Sequence, residues 1–196
     1  KTLVHGPLEG LFTVDEETGL TGANNIGDGM IKGEMLLNLD SEDDAEIFVG
    51  CAGGIDTTCL FTYKPEMTPA DYHYIRFNLE KGLGRNPGSA INQGRANAVQ
   101  LMARFLWTVG KEYELSVCEL DGGNLRNAIP RAAHCVFGVP RSHKEKVVAM
   151  FNVFVADVQN EYKGLETTLE MTLTTAEKPD LAIDKETGNH IISALY

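Results

Sequence analysis

Two stretches of helical period, 96–107 and 142–162, are interleaved with stretches of alternating period, and this order restricts the fold more than anything else in the chain. Ala96 to Trp107 sets Val99, Leu101, Met102, Phe105 and Leu106 on one face, as an amphipathic helix does. Ser142 to Tyr162 repeats the pattern with Val147, Val148, Phe151, Phe154, Val155 and Val158. Ser142 is its expected N-cap, with Glu145 three residues on at the capping-box position. Asp71 to Leu79 alternates Tyr72, Tyr74, Arg76 and Asn78 against His73, Ile75, Phe77 and Leu79, a half-buried strand. Tyr113 to Leu120 and Ala132 to Val139 read as strands joined across Gly122-Gly123, and Leu165 to Thr174 as a further strand. Ile47 to Tyr63 reads as extended, broken at Gly53-Gly54 and rich in β-branched and aromatic residues from Ile55 onward. From about Glu46 to Thr174 the order is therefore strand, strand, helix, strand, strand, helix, strand. That order predicts an α+β domain of the split βαβ (ferredoxin-like) kind, with two helices on one face of a mainly antiparallel sheet. Pro65 and Pro69 bound a loop, Gly82 to Gly94 is a Gly-rich loop, and Asp184 to Tyr196 starts a helix cut short by the chain end.

The first forty residues read differently. The apolar run Leu8 to Val14 is expected to be a short buried strand that delivers Asp15, Glu16 and Glu17 to an end closed by Gly19. Adjacent side chains there point to opposite sides, so one carboxylate can hold a metal while its neighbour moves protons. Met35 to Asp40 reads as a second buried strand ending in an acid, and such ends suit the C-terminal edge of an α/β sheet. Carboxylates after a strand also serve as helix N-caps or solvated turns, and spacing leaves both readings open. Leu20 to Ile26 is expected to form a short helix ended by Gly27 and Gly29. A domain boundary is expected near Asp44, where short apolar strands give way to longer alternating ones.

Composition excludes several classes of function. A formal net charge of −11 over 196 residues argues against nucleic acid, whose phosphates need a basic surface, and against an anionic membrane. No apolar run approaches the ~20 residues of a membrane span, and the N-terminus has no secretory pattern. It also lacks an initiator Met, so the chain is expected to be processed or excised from something longer. Cys51, Cys59, Cys118 and Cys135 form no C-x-x-C pair, so buried free thiols in a reducing, cytoplasmic setting are expected.

Several blocks in order resemble the aminoacylhistidine dipeptidases (peptidase D), co-catalytic zinc exopeptidases grouped with carnosinase and carboxypeptidase G. The blocks are His5-Gly6-Pro7-Leu8-Glu9, Glu16-Glu17-x-Gly19 with Gly22-Ala23, Asp40-Ser41-Glu42, Glu46-Ile47, Gly50 to Asp56, and Gly122-Gly123-x-Leu125 to Arg131. The resemblance implies that residues 1–44 are an edge of an α/β zinc-peptidase catalytic domain. Residues 45–175 would then be a lid and dimerisation domain, and 176–196 the start of its next segment. It places Glu16 as general base and Glu17 and Asp40 as zinc ligands. Asn127 becomes a substrate contact, and Arg126 and Arg131 become partners for a dipeptide carboxylate. In the loop Gly82 to Ser89, Asn86 stands at or near the position of a family His that polarises the scissile carbonyl; Asn can donate a hydrogen bond there but carries no charge. No His-x-Asp occurs, and His5, His73, His134, His143 and His190 fall in no ligand spacing. A complete parent would hold two zinc ions, whereas this chain alone is expected to bind none, because each ion needs roughly four contacts. Two functions follow as expectations. One is part of a cytosolic metallodipeptidase that cleaves small Xaa-His dipeptides and dimerises through the lid. The other is an inactive lid module acting in self-association or substrate docking.

Overall fold

The computed structural model describes residues 3–39, 45–50, 53, 55–84 and 91–196. It divides into two compact units, Lys1–Gly54 and Ile55–Tyr196.

The second unit is built on a four-stranded antiparallel sheet of β2 (Tyr72–Glu80), β3 (Ser116–Gly122), β4 (Ala133–Pro140) and β5 (Glu170–Thr175). Its strand order is β3-β4-β2-β5, with the first strand central and the last at an edge, which is the split βαβ plan. Among the described residues two helices join the strands: α3 (Ala98–Glu112) between β2 and β3, and α4 (Lys144–Glu161) between β4 and β5. Alternation fixes which face they cover. Ile75, Phe77 and Leu79 on β2 and Cys135, Phe137 and Val139 on β4 are fully buried with Leu101, Met102, Phe105, Leu106 and Val109 of α3 and Val147, Phe151, Phe154 and Val158 of α4. Phe77 lies at the centre, its ring edge-on to Phe105 at 5.0 Å and to Phe151 at 5.5 Å. Asn97 caps α3 through Gln100 N at 3.1 Å.

Ser142 is not the N-cap of α4. It lies inside a 3-10 turn, Arg141–His143, that runs straight into the helix, so the extended backbone a cap requires is absent and no side chain caps this end. The strand expected from Leu165 begins at Glu170, because residues 162–166 first complete a turn in which Leu165 N and Glu166 N both donate to Tyr162 O. The loop bounded by prolines holds an unexpected strand. β1 (Pro65–Met67) pairs antiparallel with β6 (Leu181–Ile183), residues more than a hundred positions apart. β6 leads into the expected C-terminal helix, α5 (Lys185–Leu195), capped by Asp184 through Thr187 N at 3.0 Å. This helix packs on α3, where Tyr196 meets Trp107 with ring centroids 4.4 Å apart. Ile55 to Lys64 forms no strand and is exposed, so the extended reading of that stretch fails for lack of a pairing neighbour.

In the first unit neither expected strand forms. Leu8 to Val14 and Met35 to Leu39 are exposed and without ladder partners among the described residues, Leu36 at 81% and Phe12 at 95%. Apolar composition alone does not make a strand, because the backbone groups must pair with a neighbour. The unit contains two single-turn helices, α1 (Glu16–Gly19) and α2 (Thr21–Asn24), the latter shorter than expected. Cys135 is buried and its thiol is pushed up by desolvation. Cys118 is half-buried, whereas Cys59 is exposed, contrary to its expected burial in a strand. Among the described residues no helix is long and apolar enough to cross a membrane.

Candidate functional site

The acidic turn of the first unit is made by close backbone approach. Asp15 and Leu20 take left-handed conformations at either end of α1, Leu20 N donates to Asp15 O at 2.8 Å, and Gly22 N donates to Val14 O at 3.0 Å. A Cβ on Gly22 would fall 2.5 Å from Val14 N, so only glycine closes the turn. Glu16 opens α1 with its side chain exposed, a carboxylate on the surface of a helical turn rather than at the end of a strand. Glu17 follows it in the same turn. Asp40 and Asn86 lie outside the described residues. A second carboxylate bridges two stretches of this unit. Glu9 Oε2 accepts from Lys32 N at 2.9 Å and from Gly33 N at 3.0 Å.

In the second unit the block Gly122–Arg131 is the connection from β3 to β4. Asn127 sits exposed in its turn, where Ala128 N donates to Leu125 O at 3.2 Å. Arg126 reaches Asp56 Oδ2 at 3.0 Å, both side chains exposed. Arg131 is tied to the end of the neighbouring strand: its Nε donates to Gly82 O at 2.9 Å, and Gly82 N donates to Arg131 O at 3.0 Å. Gly84 is a tight spot in the same place, since an added Cβ would meet Ile129 O at 2.5 Å. The structure thus brings Arg126, Asn127 and Arg131 onto one connection and joins that connection to the start of the Gly-rich loop. An open cleft of about 420 Å³ lies beside it, lined by Asn78, Lys81, Asp121, Asn124, Arg131 and His134 among others.

The sheet face away from the helices carries a polar cluster that sequence reasoning missed. Arg76 donates to Glu119 Oε2 at 2.9 Å, and His134 Nε2 meets Glu119 Oε1 at 2.9 Å. The hydrogen bond from His134, and then the Arg76 charge, hold the Glu119 carboxyl below its ordinary range. Any stability this gives is present above that range and lost as pH falls through the lowered value. The register places Asn78 opposite His134 and Asp121 opposite His134, so β2, β4 and β3 each contribute to one stripe. An alternating pattern on three strands carries that signal, but only once their register is known.

Residues 78–166, which span β2 to the turn after α4, match the family described as the peptidase dimerisation domain. Over the full chain, 33% of 195 residues are identical to the cytosol non-specific dipeptidase of Escherichia coli (strain K12), of which the chain spans 40%. The crystal structure of aminoacylhistidine dipeptidase from Vibrio alginolyticus superposes with a TM-score of 0.74 at 32% identity, over 93% of this chain and 37% of that one. The chain thus spans about two fifths of the length of these relatives. The four-stranded unit has the split βαβ order predicted from the strand and helix order, and the resemblance to aminoacylhistidine dipeptidases holds in both sequence and structure.

Proposed function

We propose that this chain is part of a cytoplasmic metallodipeptidase that hydrolyses small dipeptides of the Xaa-His type. One observation carries the reading: identity to a relative named as a dipeptidase runs the whole length of the chain, through the acidic turn as well as the dimerisation domain. In this reading residues 1–44 belong to the catalytic domain, 45–175 to the lid, and 176–196 to its next segment. Glu16 is the general base, taking a proton from the attacking water and handing it to the leaving amine. Its exposed position on a short turn leaves the carboxylate accessible to such a water. Asn86 offers a hydrogen bond to the scissile carbonyl, Asn127 contacts substrate, and Arg126 and Arg131 bind its carboxylate, Arg126 by giving up its pair with Asp56.

Glu17 and Asp40 are the proposed zinc ligands of this segment. Two carboxylates fall short of the roughly four contacts a zinc ion takes, and the described residues contain no group of three His, Cys, Asp or Glu side chains able to hold a metal. In this reading the remaining ligands of a two-zinc centre come from outside this segment. The polypeptide of the complete reading frame is expected to cleave Xaa-His dipeptides, to lose that activity on chelation, and to regain it with zinc. Absence of dipeptide hydrolysis in the zinc-loaded protein would overturn the assignment.

The second reading, an inactive lid module acting in self-association or substrate docking, rests on the domain match and on the open edge of the sheet. β5 pairs with β2 on one side, and its burial pattern is mostly exposed. An unpaired edge strand offers backbone groups to another strand, and a second copy meeting it across a two-fold axis would continue the sheet antiparallel. Both readings share this homodimer.

A further inference from the structure

The loop that leaves β2 and enters α3 is anchored at both ends by one short segment, residues 165–168. Glu166 is the centre of it. Its Oε2 accepts from Leu83 N at 2.8 Å and its Oε1 accepts from Ala96 N at 3.0 Å, so one carboxylate spans the two ends of the loop. Its neighbours add two more ties: Thr168 Oγ1 donates to Lys81 O at 2.6 Å, and Arg95 Nη1 donates to Leu165 O. Glu166 is itself held by the turn that ends α4, where its own N–H donates to Tyr162 O at 3.0 Å and Gly164 takes a left-handed conformation. The opposite side of the loop base is closed by the β3–β4 connection, through the paired Gly82 and Arg131 and through Ala98 N to Pro130 O at 3.0 Å.

Neutral backbone turns rarely need an ionised acceptor. Two half-buried N–H groups with no ladder partner do, because each left unpaired costs its full desolvation, and a carboxylate satisfies both with stronger bonds than a neutral oxygen. We propose that Glu166 is a positioning residue: through Leu83 and Ala96 it sets Gly82 and Ala98 against Pro130 and Arg131, and so fixes the placement of Arg131 for substrate. The role rests on the dipeptidase reading above; the clamp itself does not. Glu166→Gln keeps one carbonyl acceptor and preserves one of the two bonds, whereas Glu166→Ala removes both.

The test uses the complete polypeptide with Glu166→Ala, Glu166→Gln and, as a stability control, Lys185→Ala, which deletes an exposed ion pair with Glu114 at 2.6 Å. Hydrogen exchange at the Leu83 and Ala96 amides and the kcat and KM for a dipeptide are read together. Glu166→Ala is expected to speed exchange at both amides and to lower kcat/KM by about tenfold, with Glu166→Gln between it and wild type, as loss of charge-assisted bonds implies. Lys185→Ala is expected to leave both readouts unchanged at a similar melting temperature. Unaltered exchange at both amides overturns the clamp whatever the activity. Faster exchange with kcat/KM equal to that of Lys185→Ala overturns the positioning role. A wild-type protein that hydrolyses no dipeptide overturns the functional reading and the positioning role with it, and the exchange data then judge the clamp alone.

Discussion

Phe77→Ala is expected to destabilise the second unit by about 3–5 kcal/mol and to lower its melting temperature sharply. Phe77 is completely buried on the central strand and touches rings from both covering helices, Phe105, Phe151 and Phe154, at centroid distances of 5.0, 5.5 and 6.3 Å. Removing a ring from such a site costs about 3–5 kcal/mol, the transfer term plus the cavity left between layers that cannot close up. A domain of this size holds only about 5–15 kcal/mol in total, so the loss is a large share of its stability. Thermal melting followed by circular dichroism checks it. The contrast is Phe12→Ala in the first unit, where the ring is 95% exposed and the same deletion is expected to shift melting by no more than about 0.5 kcal/mol. Equal effects from the two substitutions would contradict the placement of the core.

Glu16→Gln in the polypeptide of the complete reading frame is expected to lower kcat for dipeptides by about a hundredfold to ten-thousandfold, the contribution typical of a general base. The substitution conserves size and keeps the turn, whose closure depends on the backbone of Val14, Asp15, Leu20 and Gly22 and not on the Glu16 side chain. An amide cannot take the proton, so the loss should fall on kcat with KM nearly constant. Metal content is expected to stay at the wild-type level, because the base is not a ligand. Turnover within threefold of wild type would remove Glu16 from the reaction, and loss of metal together with activity would make it a ligand instead.

The dimerisation domain was legible wherever periodicity is set by burial on one face. The alternation of β2 and the apolar stripe of α3 each report a two-layer core directly, and the element order then leaves few topologies. What escaped depended on distant partners. Pro65–Met67 becomes a strand only because Leu181–Ile183 lies beside it, and nothing local to a proline-bounded loop announces that pairing. The reverse failure occurred at Leu8–Val14 and Met35–Leu39, where apolar residues suggested strands but no neighbouring strand supplies hydrogen bonds among the described residues. The displaced start of α4 shows a local rule losing to its context, as a 3-10 turn after Pro140 takes up the residues that would have formed the cap. In the site, Gly22 and the Gly122–Arg131 block stood out as motifs. Glu166 did not, because it acts on backbone groups 70 and 83 residues away and carries no spacing signal of its own; Glu9 stood in a motif block, but nothing local announced its bonds to Lys32 and Gly33.

Sedimentation velocity on the 196-residue chain tests most directly whether the four-stranded unit acts as its family implies. The β5 edge, unpaired on its outer side among the described residues, predicts a single species at twice the 21.4 kDa of one chain, persisting at low micromolar concentration and in moderate salt, as expected of copies joined by backbone pairing. A monomer across the whole concentration range, or a ladder of ever larger species, would contradict the account of this domain as a closed two-fold dimer.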